Sequence, residues 1–114
     1  MAAVYVNNLV INAGSDFSQS FTLQNSDTES ALDLTNYTVE SQLRKWSGSS
    51  NSVSFAATIT DPPTLGRVFL NLTSEQTLSI KPGRYVYDIL IIDNYNVKNR
   101  VVEGMVLVRE GVTR

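Results

Sequence analysis

Apolar and polar residues alternate along most of this chain with a period of two. Clusters of Gly, Pro, Asn and Ser interrupt the alternation about every 12–15 residues, the rhythm of an all-β sandwich or barrel. The first strand is expected from Val4 to Ile11, ended by Asn12-Ala13-Gly14-Ser15. The second runs from Asp16 to Gln24, with Phe17, Phe21 and Leu23 on one parity and Ser18, Ser20 and Thr22 on the other. A polar turn over residues 25–30 and a short Leu32-Asp33-Leu34-Thr35-Asn36 link lead to the third, Tyr37 to Arg44. There Tyr37, Val39, Ser41 and Leu43 alternate with Thr38, Glu40, Gln42 and Arg44. Val53 to Ile59 is the fourth, broken off by Asp61-Pro62-Pro63, and Val68, Leu70 and Leu72 mark the fifth. Thr73 and Gln76 stand at capping-box spacing and predict one or two helical turns. Lys81-Pro82-Gly83 then turns the chain into the sixth strand, Arg84 to Asp93, and an Asn94-Tyr95-Asn96 turn leads to the seventh, Lys98 to Arg109. The pattern predicts an all-β fold, a seven-stranded antiparallel β-sandwich with one short helix before the sixth strand. Residues 1–11 form an N-terminal arm and first strand, and residues 12–114 the sandwich, as one domain overall.

The last two strands depart from simple alternation. Tyr85, Tyr87, Ile89 and Ile91 share one parity, while Val86, Leu90 and Ile92 fill most of the other. In the seventh strand Val102, Val106 and Val108 oppose Val101, Met105 and Leu107. A two-layer sandwich ordinarily wets the outer face of each sheet. Three explanations stand open. The chain's own loop or helical turn covers the outer face; a partner or sister subunit packs there, as large apolar patches mark interfaces; or the register is not the simple one. Tyr85, Tyr87, Ile89, Val101 and Met105 are the candidate self-association face. The arm from Ala2 to Val6 is a second candidate, able to add an edge strand to a neighbour.

Composition narrows the chemistry. The chain of 114 residues suits one domain, large enough to bury a core without staples. It has no Cys and no His. That removes thiol catalysis, Cys-based zinc sites, Ser-His and Cys-His nucleophile pairs and the commonest general base. A net charge of −2 with basic residues scattered singly or as the Arg44-Lys45 pair gives no nucleic-acid stripe. The longest apolar run, Ile89 to Ile92, is too short to span a membrane. Met1-Ala2-Ala3-Val4 lacks the charged start of a signal peptide, so synthesis in the cytoplasm is expected.

Few residues offer themselves for function. Asp88 lies inside the apolar sixth strand, where a carboxylate needs a partner; Arg100 or Arg44 can supply it. Glu103 sits similarly among valines, and both read as structural charges rather than an acid–base pair. The acidic residues match no metal-loop spacing, and the Asp93–Asn96 turn is explained by Asx hydrogen bonding. Asn36-Tyr37-Thr38 and Asn71-Leu72-Thr73 match the glycosylation sequon, taken as chance without a secretory signal. Trp46, before the Ser47-Gly48-Ser49-Ser50-Asn51-Ser52 loop, either closes one end of the sandwich or stands exposed as a binding aromatic. Tyr85, just after Pro82-Gly83, occupies the tyrosine-corner position of Greek-key sandwiches, where the hydroxyl ties the strand to the preceding corner.

Several segments together resemble small tailed-bacteriophage virion proteins with an Ig-like or fibronectin-like domain, and are similar to the N-terminal domain of phage baseplate upper proteins. They are Gly14-Ser15-Asp16-Phe17, Leu32-Asp33-Leu34-Thr35-Asn36-Tyr37-Thr38, Gly83-Arg84-Tyr85-Val86-Tyr87-Asp88, Val101-Val102-Glu103-Gly104 and Gly111-Val112-Thr113-Arg114. Asn36 stands where that family usually has Gly, and Asn tolerates the left-handed backbone such a turn uses. The trimerising stalk that follows in baseplate upper proteins is not part of this sequence. The resemblance implies a non-enzymatic virion structural protein: an adaptor or accessory subunit of the tail or baseplate, or a capsid decoration protein. Its partners would be other virion proteins and copies of itself, with no cofactor, nucleic acid or membrane. The alternative is a carbohydrate- or host-surface-binding module that uses Trp46 and the Ser47–Ser52 loop.

Overall fold

The computed structural model describes residues 5–25, 28 and 30–113. Nine strands form two facing sheets: β1 (Tyr5–Val6), β2 (Leu9–Asn12), β3 (Phe17–Thr22), β4 (Thr38–Arg44), β5 (Val53–Ser54), β6 (Ala56–Ile59), β7 (Arg67–Leu72), β8 (Gly83–Ile92) and β9 (Lys98–Arg109), with one α-helix, α1 (Ser74–Leu78). The larger sheet has the order β1-β9-β8-β4-β5, with β2 beside β1 on the β9 edge; the smaller has the order β3-β7-β6. The result is a mostly antiparallel Ig-like sandwich with its short helix before β8, the sixth strand of the sequence pattern.

The two sheets bury one parity of each strand between them, and in β8 and β9, where the pattern left the inward parity open, this layer takes Ile89, one of the candidate interface residues. Ile11, Leu43, Ile89, Val102, Val106 and Val108 from the larger sheet pack on Phe21, Val68, Leu70 and Leu72 from the smaller. Each fully buried aliphatic side chain contributes about 1.5–3 kcal/mol relative to its exposed state. Ser41 is a polar exception in this layer, and its hydroxyl donates to Asp88 O at 2.6 Å. The capping box forms as expected: Gln76 N–H donates to Thr73 Oγ1 and Thr73 N–H to Gln76 Oε1. Buried Thr77 accepts from Gly14 N–H at 3.1 Å and donates to Ser15 O at 2.8 Å, so α1 is fastened to the turn between β2 and β3. The tyrosine corner is present too, with Tyr85 OH donating to Lys81 O at 2.6 Å.

Four features differ from the simple pattern. The expected first strand is two pieces, β1 and β2, broken at Asn7-Asn8, and both run parallel to β9. Val4 and the arm residues Ala2 and Ala3 lie outside the described residues, while Tyr5–Val6 pair with the chain's own β9. The expected fourth strand is likewise two: at Phe55 the backbone leaves the larger sheet (β5) and enters the smaller (β6). A continuous run of β-formers cannot signal this switch, because both halves keep the same period. The second strand begins at Phe17 and ends at Thr22. Finally, β9 carries a bulge: Ile89 pairs with Val102, but Leu90 pairs with Arg100, leaving Val101 as the extra residue. Val101 and Val102 are therefore both buried, and the parity of β9 reverses across the bulge. Of the polar turn over residues 25–30, residues 26, 27 and 29 lie outside the described set.

Candidate functional site

The outer face of the larger sheet is built from the second parity of its strands. Ladder register places Gln42, Asp88 and Glu103 in one row across β4, β8 and β9, and Arg44, Val86 and Met105 in the next. The bulge at Val101 brings Arg100 opposite Leu90, from where its Nε reaches diagonally to Asp88 Oδ2 at 3.3 Å. Of the two partners expected for Asp88, Arg100 and Arg44, it is Arg100 that pairs, and the pair is half exposed and on the surface rather than inside. Arg100 offsets the charge of Asp88, which stands opposite the like charge of Glu103, a juxtaposition that costs stability if uncompensated.

Trp46 continues the outward parity of β4 two residues beyond Arg44, and its side chain is 61% exposed. It does not close the sandwich. The loop behind it is fastened: Ser49 N–H donates to Trp46 O at 2.9 Å, and Arg44 Nη1 donates to Ser49 O at 2.5 Å while Nη2 donates to Gln42 Oε1 at 2.9 Å. The Ser-rich composition implies a flexible loop, yet these bonds hold a tight turn. Gly48 lies against the indole edge, where a Cβ would stand 3.5 Å from the ring.

Together these side chains line an open groove of about 750 Å3 whose walls include Val6, Trp46, Val86, Leu90 and Met105 with Gln42, Arg44, Asp88, Arg100 and Glu103. Val6 and Met105 are 72% and 53% exposed. Two guanidinium and two carboxylate groups balance in formal charge. The arrangement offers an aromatic platform, an apolar floor and planar hydrogen-bonding groups, the composition of a ligand-binding surface. Among the described residues no group of three or more His, Cys, Asp or Glu is placed to hold a metal ion. At the turn over residues 93–97, Asp93 Oδ1 accepts from Tyr95 N–H and Val97 N–H instead.

The five candidates for a self-association face do not share one surface. Ile89 and Val101 are fully buried in the core, the latter because of the bulge. Tyr87 is buried, and its hydroxyl donates to Asn7 O at 2.5 Å. Tyr85 is committed to its corner, with Lys45 Nζ 4.9 Å above its ring. Met105 alone of the five presents its side chain on the outer face. Sequence reasoning named Val6 only within the arm and Arg44 only as a possible partner of Asp88, and it did not single out Gln42; it did not join the three to Trp46. The readable signal was the even-numbered run Glu40, Gln42, Arg44, Trp46, which extends one outward face into the loop.

No protein-family model matches the sequence, and no curated protein matches it. Among solved structures, the SrpA adhesin of Streptococcus sanguinis (R347E mutant) is similar over 96% of this chain and 57% of that one, at 12% identity and a TM-score of 0.53. An internalin-like protein of Listeria monocytogenes is similar over 95% of this chain and 28% of that one, at 14% identity and a TM-score of 0.46. The chain thus spans little more than half of one and about a quarter of the other. The likeness to SrpA is one of fold. The phage resemblance rests on its sequence segments alone.

Proposed function

We propose that this chain is a binding module that acts through the outer face of its larger sheet, with Trp46 as the contact platform for a carbohydrate on a host or cell surface. The observation that carries this reading is the exposed indole at the mouth of a charge-balanced groove. An exposed tryptophan held by a fastened loop presents a large apolar area at low entropic cost. Sugars have C–H faces that lie against such rings and hydroxyls that suit Gln42, Arg44, Asp88 and Glu103. The fold likeness to a protein named as an adhesin agrees with this class of role. Neither catalysis nor a cofactor enters the reading.

Trp46 is the chain's single tryptophan, so its fluorescence reports on the groove without background. The test is a glycan array followed by fluorescence titration of the hits. Wild type should bind and shift its emission, and Trp46→Ala should bind at least about tenfold more weakly with an unchanged circular dichroism spectrum. Absence of any bound glycan, or equal binding by the variant, refutes the reading.

A second reading is a virion adaptor or decoration subunit that assembles with other virion proteins. It is favoured by one observation, the exposed apolar strip of Val6, Val10, Met105 and Leu107 along β1, β2 and β9. Mass-spectrometric detection of the chain in purified phage particles at integer stoichiometry supports it; failure to find the chain in them counts against it.

A further inference from the structure

We infer that the β3 edge of the smaller sheet is a docking edge for a second copy of this chain, joining two β3 strands antiparallel about a two-fold axis at Gln19. The inference does not depend on the groove reading. Sheet edges expose unpaired N–H and C=O groups, and proteins blunt them with short strands, breaks, charges or proline. The other edges here are blunted. β5 has two residues, and the stretches it and β1 leave uncovered, residues 38–40 of β4 and 98–100 of β9, carry Glu40, Lys98 and Arg100. β6 has four, between the sheet switch at Phe55 and the Pro62-Pro63 break. The β1–β2 edge is broken at Asn7-Asn8. β3 is six residues long with no charge, proline or glycine, and its central Ser18, Gln19 and Ser20 are all exposed.

Geometry selects a second copy as the occupant. Leu23 N–H donates to Gly66 O at 2.7 Å, while Arg67 O accepts from Thr60 N–H on the opposite side of β7. This phase makes Phe17, Gln19 and Phe21 the residues that bond to β7. The N–H and C=O groups of Ser18, Ser20 and Thr22 therefore point away from the sheet. An antiparallel two-fold axis through a non-bonded residue pair at Gln19 sets Ser18 opposite Ser20 of the second copy, each pair exchanging both of its backbone bonds. The sequence Phe17-Ser18-Gln19-Ser20-Phe21 reads the same in both directions. Every cross-strand pair then joins compatible side chains: serine with serine, amide with amide, and half-buried Phe17 beside the partner copy's Phe21. No like charges meet.

The test uses the full chain and residue 19, whose side chain is exposed and absent from the core. Sedimentation velocity over a concentration series should give a concentration-dependent dimer for wild type. Gln19→Lys and Gln19→Glu, each placing two like charges at the axis, should each dimerise about tenfold more weakly. Mixing the two variants should restore association, because only residue 19 facing residue 19 makes the charges complementary. Amide exchange should slow at Ser18 and Ser20 as concentration rises. A wild type that stays monomeric, or a dimer indifferent to both variants, overturns the inference. A dimer abolished instead by a Met105→Lys change, with residue 19 silent, assigns self-association to the outer face and also overturns it.

Discussion

Gly104 is where the edge of the larger sheet is locked, and replacing it tests that lock. It pairs with Tyr87 across β8 and β9. A Cβ built on it would fall within 3.0 Å of the Asn7 carbonyl, and backbone atoms cannot swing aside as a flexible side chain would. Gly104→Ala must therefore lift the Asn7-Asn8 break away from β9. Three hydrogen bonds meet there: Tyr87 OH to Asn7 O at 2.5 Å, Asn7 N–H to Glu103 O at 3.0 Å, and Met105 N–H to Asn8 Oδ1 at 3.0 Å. At about 1 kcal/mol net each, their loss costs about 3 kcal/mol. Alanine returns about 0.5–1 kcal/mol through its lower conformational entropy in the unfolded chain. The expected net destabilisation is about 2 kcal/mol, or a fall in Tm of about 8 °C for a domain of this size.

A double-mutant cycle separates this mechanism from a generic packing defect. Tyr87→Phe alone should cost about 1 kcal/mol. In the Gly104→Ala background the Tyr87–Asn7 bond is already broken, so the second change should add almost nothing, and the coupling should be about 1 kcal/mol. Urea unfolding at constant m-value measures all four proteins. If the double variant loses the sum of the single effects, or if Gly104→Ala lies within about 0.5 kcal/mol of wild type, the lock does not exist as described.

Two further perturbations follow from local geometry. Asn36 has φ of 65°, so Asn36→Ala should destabilise by about 1 kcal/mol while Asn36→Gly stays within a few tenths; equal losses in thermal unfolding would place the strain elsewhere. Asp33 accepts from the Thr35 hydroxyl and then from Thr35 N–H, and both hold its carboxyl below the ordinary aspartate range. With a depressed folded pKa, its contribution is complete above the unfolded value and fades as pH falls through the folded one, a window below about pH 4. Carboxyl carbon NMR titration should show this low midpoint, and Thr35→Ala should raise it; an unmoved midpoint contradicts the assignment.

The fold was legible where local chemistry and periodicity agree. Thr73 and Gln76 announced α1, Pro82-Gly83 before Tyr85 announced the corner, and Phe17, Phe21 and Leu23 announced the inner face of the smaller sheet. The failures share one physical cause: each is an interruption of strand pairing that the side-chain alternation does not encode. At Phe55 the strand swaps sheets, and at Asn7-Asn8 the pairing with β9 lapses for two residues at an unchanged register, yet the residues on either side remain ordinary strand residues. Parallel pairing of β1 and β2 with β9 was equally hidden, since the alternation of side chains is the same for either strand direction. Residue 101 shows the consequence for function. One extra valine reverses the parity of β9, and a set of five interface candidates chosen on unbroken alternation was scattered between core and surface.

The same bulge explains why the sheet has a usable outer face at all. With unbroken pairing from Ile89 and Val102 onward, Val101 would stand opposite Leu90 on the outer face, Arg100 would fall on the inner parity opposite Ile91, and Asp88 would face Glu103 with no cation from β9 beside it. The extra residue turns Val101 into the core, where burial is favourable, and delivers Arg100 to the surface next to Asp88. Arg44 holds the loop from the other side through Ser49 and Gln42, so Trp46 is presented rather than folded inward. The apolar residues that made the last two strands look doubly buried thus divide. One set completes the core; of the remainder, Leu107 stays on the surface, and Val86, Leu90 and Met105 become the floor and wall of a groove whose charges are supplied in opposing pairs. Sequence periodicity alone could not reveal that division, because it depends on one unpaired residue between two strands.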